Sequence, residues 1–477
     1  MACTFRRIAG AVVAFIALGA PSIGAQSVNT LPADLSAKVH AAIADVMSRT
    51  QVPSASVGIV RDGRIVYVAA FGKARLSPPL AASPDMHYAI GSISKQFTVA
   101  AVMLLAQEGK LSLDDPVSKY FPELTRANEV TLRNLMSHTS GYEDYAPQDY
   151  TIPEWTKPMT AQAVVHEWAT KPLDFDPGTQ YQYSNTNFNI VGLIVEKASG
   201  QPFWAYLSSH VLGPVGLTHT IDLDTQRSQL EPTGYFRHAL GPLRPALMEA
   251  PGWYFADGEI GMTVGDLLKW DISVMDQSLL SPASYTAMET AMTLKDGSKI
   301  GYGLGLSVST LNGHRVVSHS GEVGGFVAAN IVFPDDKIAV AVLTNQEASP
   351  AAGGIGRAIS LLLLAPSASA PAAADDAAAA ESLARKVLAG LQKGTIDRAL
   401  FTANANFYFD KQAISDYSSS LAPLGAIKSL RQTATSLRGG MRFRGFAVEF
   451  ARGATVSIST YTTMDGKIEQ FLVEPAS

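Results

Sequence analysis

Cysteine is all but missing from this chain. The single one, Cys3, sits in the leading segment, so the remainder has no disulfide, no cysteine-based metal site and no thiol nucleophile. The nine histidines show no His-Glu-x-x-His or similar ligand spacing. The net charge is only −5 and the lysines and arginines do not cluster, so a basic arm or stripe for nucleic acid is lacking. Long apolar runs are lacking too: Leu361 to Leu364 is far too short to span a membrane. What the chain does have is core material. Hydrophobic residues make up 47% of 477 positions against 17% charged, enough for two or three domains with sizeable interiors.

The first residues read MACTFRRIAGAVVAFIALGAPSIGA. Arg6 and Arg7 are followed by an apolar stretch, Ile8 to Ala20, and by small residues ending at Gly24-Ala25. This is the pattern of a secretory signal peptide over residues 1–25, cleaved near Ala25. Its apolar part is too short for comfortable membrane spanning, and Cys3 lacks the position of a lipid-anchor cysteine. A periplasmic or secreted protein without a stable membrane anchor is expected.

Further along, Leu35, Val39, Ile43 and Met47 recur at four-residue spacing and predict a helix. ASVGIV and IVYVAAF flank Asp62-Gly63, a strong hairpin signal. Helical patterns then dominate from Ser94 to about Ala291. Strands return in GLGLSVST, RVVSHS, FVAANIVF and IAVAVLTN, with turns at Asn312-Gly313 and Pro334-Asp335-Asp336. The economical α+β solution is one antiparallel sheet built from both ends, flanked by helices and carrying a helical insert. A cleft is expected where insert meets sheet. A helix from Ile355 to Leu364 closes this unit, which covers residues 26–365. Residues 366–380, rich in alanine and proline, predict a linker. Residues 381–477 predict a small α+β domain: a helix carrying Leu383, Val387, Leu388 and Leu391, then three strands in MRFRGFAVEF, ATVSISTYTT and KIEQFLVEP.

Three short stretches draw chemical interest. In IGSISKQFTV, Ser92 and Lys95 stand one turn apart where an apolar helix begins, so a hydroxyl and an amine share a face. That spacing also recurs by chance in a chain this long. In QYQYSNTNF, Tyr183-Ser184-Asn185 precedes an amphipathic helix, where Ser184 or Asn185 could simply cap it. His319-Ser320-Gly321-Glu322 ends a strand, and a lone strand histidine is commonly structural. His138, in TLRNLMSHTSGY, reads as a packing or loop-capping residue.

Taken together and in this order, Ser-x-x-Lys, Tyr-x-Asn and a basic residue-x-Gly on a strand resemble the signature of the penicillin-recognising serine hydrolases. The likeness is to the β-lactamase/transpeptidase-like branch containing class C β-lactamases and D-Ala-D-Ala carboxypeptidases. It runs from about Pro53 to Gln346 and includes IGSISKQFT, LMSHTSGY, PGTQYQYSN and YGLGL. The C-terminal segment resembles the nuclear transport factor 2-like fold in the order of its elements, which implies a lid, assembly or other appended role.

The resemblance implies a covalent acyl-enzyme on Ser92. Serine is a weak nucleophile and needs a base. Lys95 serves only if neutral, Tyr183 only if helped by nearby positive charge, and both remain candidates. Tyr183 would also protonate the leaving group. Asn185 is expected to contact Lys95 and a substrate amide carbonyl, while His319, Ser320, Gly321 and Glu322 line the substrate. The N–H groups of Ser92 and Glu322 would stabilise the oxyanion. No cofactor and no metal is called for, and the expected partner is a small molecule or peptide.

The third motif departs from the family's usual Lys-Thr-Gly. Family members with histidine there are mostly D-peptidases, D-aminopeptidases and related amidases or esterases. Glu322 adds a negative charge that argues against an anionic substrate terminus. The expected activity is therefore a D-amino-acid peptidase, amidase or carboxypeptidase. The alternatives are an esterase, a weak β-lactamase, or a non-catalytic penicillin-binding-type sensor. The sequence sets no oligomeric state.

Overall fold

The computed structural model describes residues 27–364, 377–438, 441–463 and 465–476. The expected signal peptide and most of the expected linker lie outside the described residues. The last four positions of that linker, 377–380, belong to a helix.

The helix α1 (Ala33–Thr50) precedes the hairpin β1 (Ser54–Arg61) and β2 (Arg64–Arg75). Asp62 and Gly63 both take positive φ, 52° and 69°, which is the type I′ turn that matches strand twist. Then come α2 (Ser94–Gln107), α3 (Asn185–Ser199) and α4 (Val264–Asp276), followed by β3 (Ser307–Leu311), β4 (His314–Val323), β5 (Phe326–Phe333), β6 (Ile338–Thr344) and α5 (Ala351–Leu363). The sheet runs β2-β1-β6-β5-β4-β3, with the two-residue strand Val28–Asn29 on the β2 edge. All pairs are antiparallel, and β6 joins the two ends of the chain with Val57 opposite Val342. This is the sheet expected from both termini, with the helical region inserted between.

Strand periodicity decides which face each residue serves. Val57, Ile59, Val340 and Val342 pack on one face against Val39 and Ile43 of α1 and Ile355 and Ile359 of α5. Ala339, Ala341 and Leu343 point to the other face, into the larger core with Phe97 of α2 and Trp270 of α4. Gly58 admits α4 closely: a Cβ there would lie 2.5 Å from Leu268 Cδ1.

The C-terminal unit has its own core, including Leu388 and Leu391 of α6 (Ala377–Gln392), Tyr417 and Leu421 of α7 (Lys411–Leu421), and Phe446 and Phe471. Its sheet has four antiparallel strands, β7 (Ile427–Arg438), β8 (Met441–Phe450), β9 (Thr455–Thr462) and β10 (Ile468–Pro475). The sequence pattern predicts only three. β7 escapes it because IKSLRQTATSLR is largely exposed and carries little apolar signal. The two units meet through polar and aromatic contacts. Tyr150 Oη donates to Glu469 O at 2.8 Å, Asp149 N to Gln470 Oε1 at 2.7 Å, and the Tyr150 and Tyr408 rings are 4.9 Å apart.

Phe97 is fully buried, with its ring centroid 4.4 Å from that of Trp270. Phe97→Ala is expected to cost about 3–5 kcal/mol, read as a lowered denaturant midpoint of the larger unit. An unmoved midpoint would contradict the packing described.

Candidate active site

Ser92 lies in the short 3-10 turn Gly91–Ile93, and Lys95 in the first turn of α2. The turn abuts β4 so tightly that both contacting positions are glycine. A Cβ on Gly91 would lie 2.7 Å from Glu322 N. A Cβ on Gly321 would fall onto the Ile90 carbonyl oxygen and 3.0 Å from Ser92 N. Gly91 also has φ +51°, a region costly for other residues. This approach brings the main chains of Ser92 and Glu322 side by side.

Lys95 is completely buried. Its Nζ donates to Ser92 Oγ (2.9 Å), Asn185 Oδ1 (2.7 Å) and the Asp257 carbonyl oxygen (2.9 Å). Burial pushes its pKa down to about 8, against the opposing pull of Asp257 and Asp144. Burial also raises Asp257 to about 7, and its carboxylate accepts from Tyr145 Oη at 2.8 Å.

Tyr183 precedes α3 with its ring facing Lys95, 5.1 Å from Nζ to centroid. Its hydroxyl is shut off from solvent and lies beside Ser92, close enough to feel the serine, but makes no hydrogen bond of ordinary geometry. Burial raises this phenol well above its usual value. His138 holds the segment in place. Its carbonyl accepts from Gln182 N at 3.0 Å, its Nδ1 accepts from Ser184 N at 3.2 Å, and its ring lies 4.1 Å from that of Tyr183. The packing role expected for His138 is the one it has.

The histidines form a chain whose tautomers follow from their partners. His138 Nδ1 is an acceptor, so Nε2–H donates to Tyr302 Oη at 3.3 Å. His319 Nδ1–H donates to Ser320 O at 2.5 Å, so Nε2 accepts from Tyr302 Oη at 2.9 Å. Burial and the nearby Lys95 lower His319 to about 4 and His138 well below its usual value. Both are neutral near pH 7. His319 therefore brings no positive charge to the third motif.

Asn185 makes its expected contact with Lys95. Its Oδ1 faces Lys95, and its Nδ2 donates to Asp144 Oδ1 (3.1 Å) and Ala146 O (3.3 Å), so both amide hydrogens are already engaged. Ser184 makes no side-chain cap; instead Asp144 Oδ1 accepts Asn185 N at 2.9 Å and caps α3 from another segment. Ser320 is exposed on β4, which continues past the motif to Val323. Glu322 Oε1 accepts Ala348 N at 2.6 Å.

These groups border a cleft of about 370 Å³ lined also by Tyr150, Trp155 and Trp253. Among its described lining residues are five carboxylates, on Asp149, Glu249, Asp257, Glu322 and Glu347, and one cationic side chain, Arg438. Motif reading misses Asp144, Asp257, Tyr302 and Arg438. Asp144 follows the LMSHTSGY stretch and Tyr302 opens YGLGL, so nearness to a motif is the available signal. For Arg438 the signal is Gly439-Gly440, a turn pair between strand-like runs. Among the described residues no group of three or more His, Cys, Asp or Glu could hold a metal ion, and no helix is long and apolar enough to cross a membrane.

Gly321→Ala is expected to abolish labelling of Ser92 by a fluorophosphonate, because the added methyl drives β4 from the Ser92 turn. Gly353→Ala, whose added methyl would meet nothing within 4 Å, is the control and should label normally. Equal labelling of both variants would refute the need for this close approach.

The Beta-lactamase family model matches residues 39–364. A putative penicillin-binding protein of Bacillus subtilis is 28% identical over 311 residues, 65% of this chain and 75% of its own. A D-aminopeptidase of Gluconobacter oxydans is 26% identical over 324 residues, but the match spans only 59% of that protein's length. The octameric penicillin-binding protein homologue from Pyrococcus abyssi shares the fold with a TM-score of 0.61 at 22% identity, covering 92% of this chain and 99% of its own. The D-amino acid amidase from Ochrobactrum anthropi does so with a TM-score of 0.60 at 22% identity, over 69% of this chain and 98% of that one. With its motif residues gathered in one cleft and the family model spanning most of its length, the chain belongs to the beta-lactamase family and is a serine hydrolase.

Proposed function

We propose that this protein hydrolyses peptides or amides of D-amino acids that carry a free amine, through an acyl-enzyme on Ser92. The observation that carries the reading is the environment of Lys95 Nζ. Two of its three neighbours, Asn185 Oδ1 and Asp257 O, can only accept. As an ammonium Lys95 donates to all three; once neutral, it satisfies the two acceptors with its two hydrogens and turns its lone pair to the Ser92 hydroxyl. Lys95 is then the base, and a phenol as strongly disfavoured from ionising as Tyr183 is not.

As Ser92 Oγ bonds to the substrate carbonyl carbon, its proton passes to Lys95 and the carbonyl oxygen becomes an oxyanion. The N–H groups of Ser92 and Glu322 face that oxygen; removing one such donor typically costs about 3 kcal/mol of barrier. The neutral Tyr183 hydroxyl protonates the leaving amine nitrogen and regains a proton from the Lys95 ammonium. Water then repeats the sequence on the acyl-enzyme, releasing the acid and free Ser92.

The charge of the cleft supports the substrate class. Its one lining cation, Arg438, is paired with Asp144 and Asp149, and His319 is neutral, so an anionic terminus finds no free partner among the described lining residues. Burial raises Glu249 to about 7, Glu347 to about 8 and Glu322 well above its usual value, so an ammonium group beside them is the partner that would draw them into their ionised form. This favours an aminopeptidase or amidase over a carboxypeptidase or penicillinase, in line with the D-aminopeptidase and D-amino acid amidase among the relatives. The aromatic wall suits a large apolar side chain. The leading Arg-Arg and apolar segment supports export to the periplasm or beyond. Helices followed by an antiparallel sheet support the nuclear transport factor 2-like likeness of the C-terminal unit.

A panel of D-amino-acid amides, D-Ala-D-Ala peptides, p-nitrophenyl esters and nitrocefin, run beside Ser92→Ala, tests this. Amides with a free amine should turn over best, and Ser92→Ala should lose at least about a thousandfold. Absence of any Ser92 adduct with every acylating probe would leave only a binding role.

The sign of the pH dependence follows from Lys95. It acts unprotonated, and with a pKa of about 8 its active fraction falls as pH drops. kcat/KM should decline roughly tenfold per unit below that value. A rate flat from about pH 5.5 to 8 would exclude Lys95 as the base.

A further inference from the structure

The C-terminal unit reaches into the cleft at one point. β7 ends at Arg438, whose main chain forms a parallel bridge with Tyr183. The Arg438 guanidinium lies 5.2 Å from the Tyr183 ring centroid, on the ring that also faces Lys95. Its Nε donates to Asp144 Oδ2 at 3.0 Å, Nη2 to Ala146 O at 2.8 Å, and Nη1 to Asp149 Oδ1 at 3.4 Å and Tyr461 Oη at 3.3 Å. The Asp144 side chain has no solvent exposure, and that of Arg438 only 21%. Asp144 in turn holds Asn185 through both its main-chain N–H and its Nδ2, and Asn185 holds Lys95. The chain Arg438–Asp144–Asn185–Lys95 thus runs from one folded unit to the nucleophile of the other.

We infer that Arg438 is a positioning residue of the hydrolase site: by neutralising Asp144 it keeps within reach the uncharged form of Lys95 that accepts the Ser92 proton. This rests on the proposed role of Lys95. Neighbours of both kinds act on that amine. Asp144 and Asp257 favour the ammonium, whereas burial and Arg438 oppose it. His138 and His319 also face the site and are neutral, as are Tyr145 and Tyr183, whose phenols burial holds in the un-ionised form. Without Arg438, Asp144 becomes a buried, unpaired carboxylate near Lys95, and the ammonium becomes its natural counterion. Most donors of Arg438 are spent within the protein, so it is not placed as a hook for a substrate anion.

The test uses the full chain and a fluorophosphonate, whose fluoride leaves without a proton, so labelling reads serine activation alone. Labelling rates at Ser92 are followed by peptide mass spectrometry from about pH 6 to 10. For Arg438→Gln, the midpoint should rise by about one unit, so labelling at pH 7 falls about tenfold and recovers above about pH 9.5. Arg438→Lys should keep the wild-type midpoint. Arg438→Gln combined with Asp144→Asn removes both charges and should bring the midpoint back, and it guards against a single variant that fails to fold. A wild-type midpoint in Arg438→Gln overturns the inference, as does a loss equal at every pH or a double variant still shifted upward. If the wild-type protein takes no adduct at all, the hydrolase reading itself has failed; if it labels normally, only the role of Arg438 is at stake.

Discussion

The site depends on a primary amine kept out of water. An ammonium buried without compensation costs several kcal/mol, and Lys95 has no solvent exposure. The structure supplies two fixed acceptors, Asn185 Oδ1 and Asp257 O, and a third neighbour that can either accept or donate, Ser92 Oγ. Everything nearby serves to hold those three oxygens still. Thr98 Oγ1 donates to Ala256 O at 2.6 Å and Ser94 Oγ accepts from Ile260 N at 3.3 Å, so α2 is tied to the segment that carries Asp257. The glycines at 91 and 321 let the Ser92 turn rest directly on the sheet edge.

Neutral groups do much of the positioning. His138, Tyr302 and His319 relay hydrogen bonds without carrying charge, because all three are buried, each ring nitrogen has one partner, and Tyr302 Oη accepts from one histidine and donates to the other. A lysine in place of His319 would bring a second cation beside Lys95. With histidine, the strand keeps the shape of the third motif and gives up its charge. The cleft is then bordered by acidic groups that burial raises and that main-chain N–H groups hold: Glu249 by Gly324, Glu322 by Ala348 and Glu347 by Gly325.

The C-terminal unit has a core into which Ala239 of the larger unit also packs, and its surface is not independent of the cleft. Asp149 binds Gln470 through both N–H and carboxylate, Tyr150 binds the Glu469 carbonyl, and Arg438 binds Asp144. All four contacts fall on one short stretch, 144–150, between the second motif and the cleft wall. Polar contacts of this kind orient the two bodies, and they make the geometry at Asn185 sensitive to a unit remote from it in sequence.

Local signals suffice for the sheet, the order of the motifs and the pairing of Ser92 with Lys95. The buried apolar runs of β1 and β6, the Asp62-Gly63 turn and one-turn spacing act before the chain closes. The motif likeness, also legible in the sequence, draws Tyr183 and His319 toward them. Three features are settled only by packing: both histidines are uncharged, Asn185 spends its amide on Asp144, and β7 exists and delivers Arg438. Protonation, hydrogen-bond partners and ion pairs across 290 or more positions depend on which groups share a water-free volume, and that volume forms only when distant segments pack together.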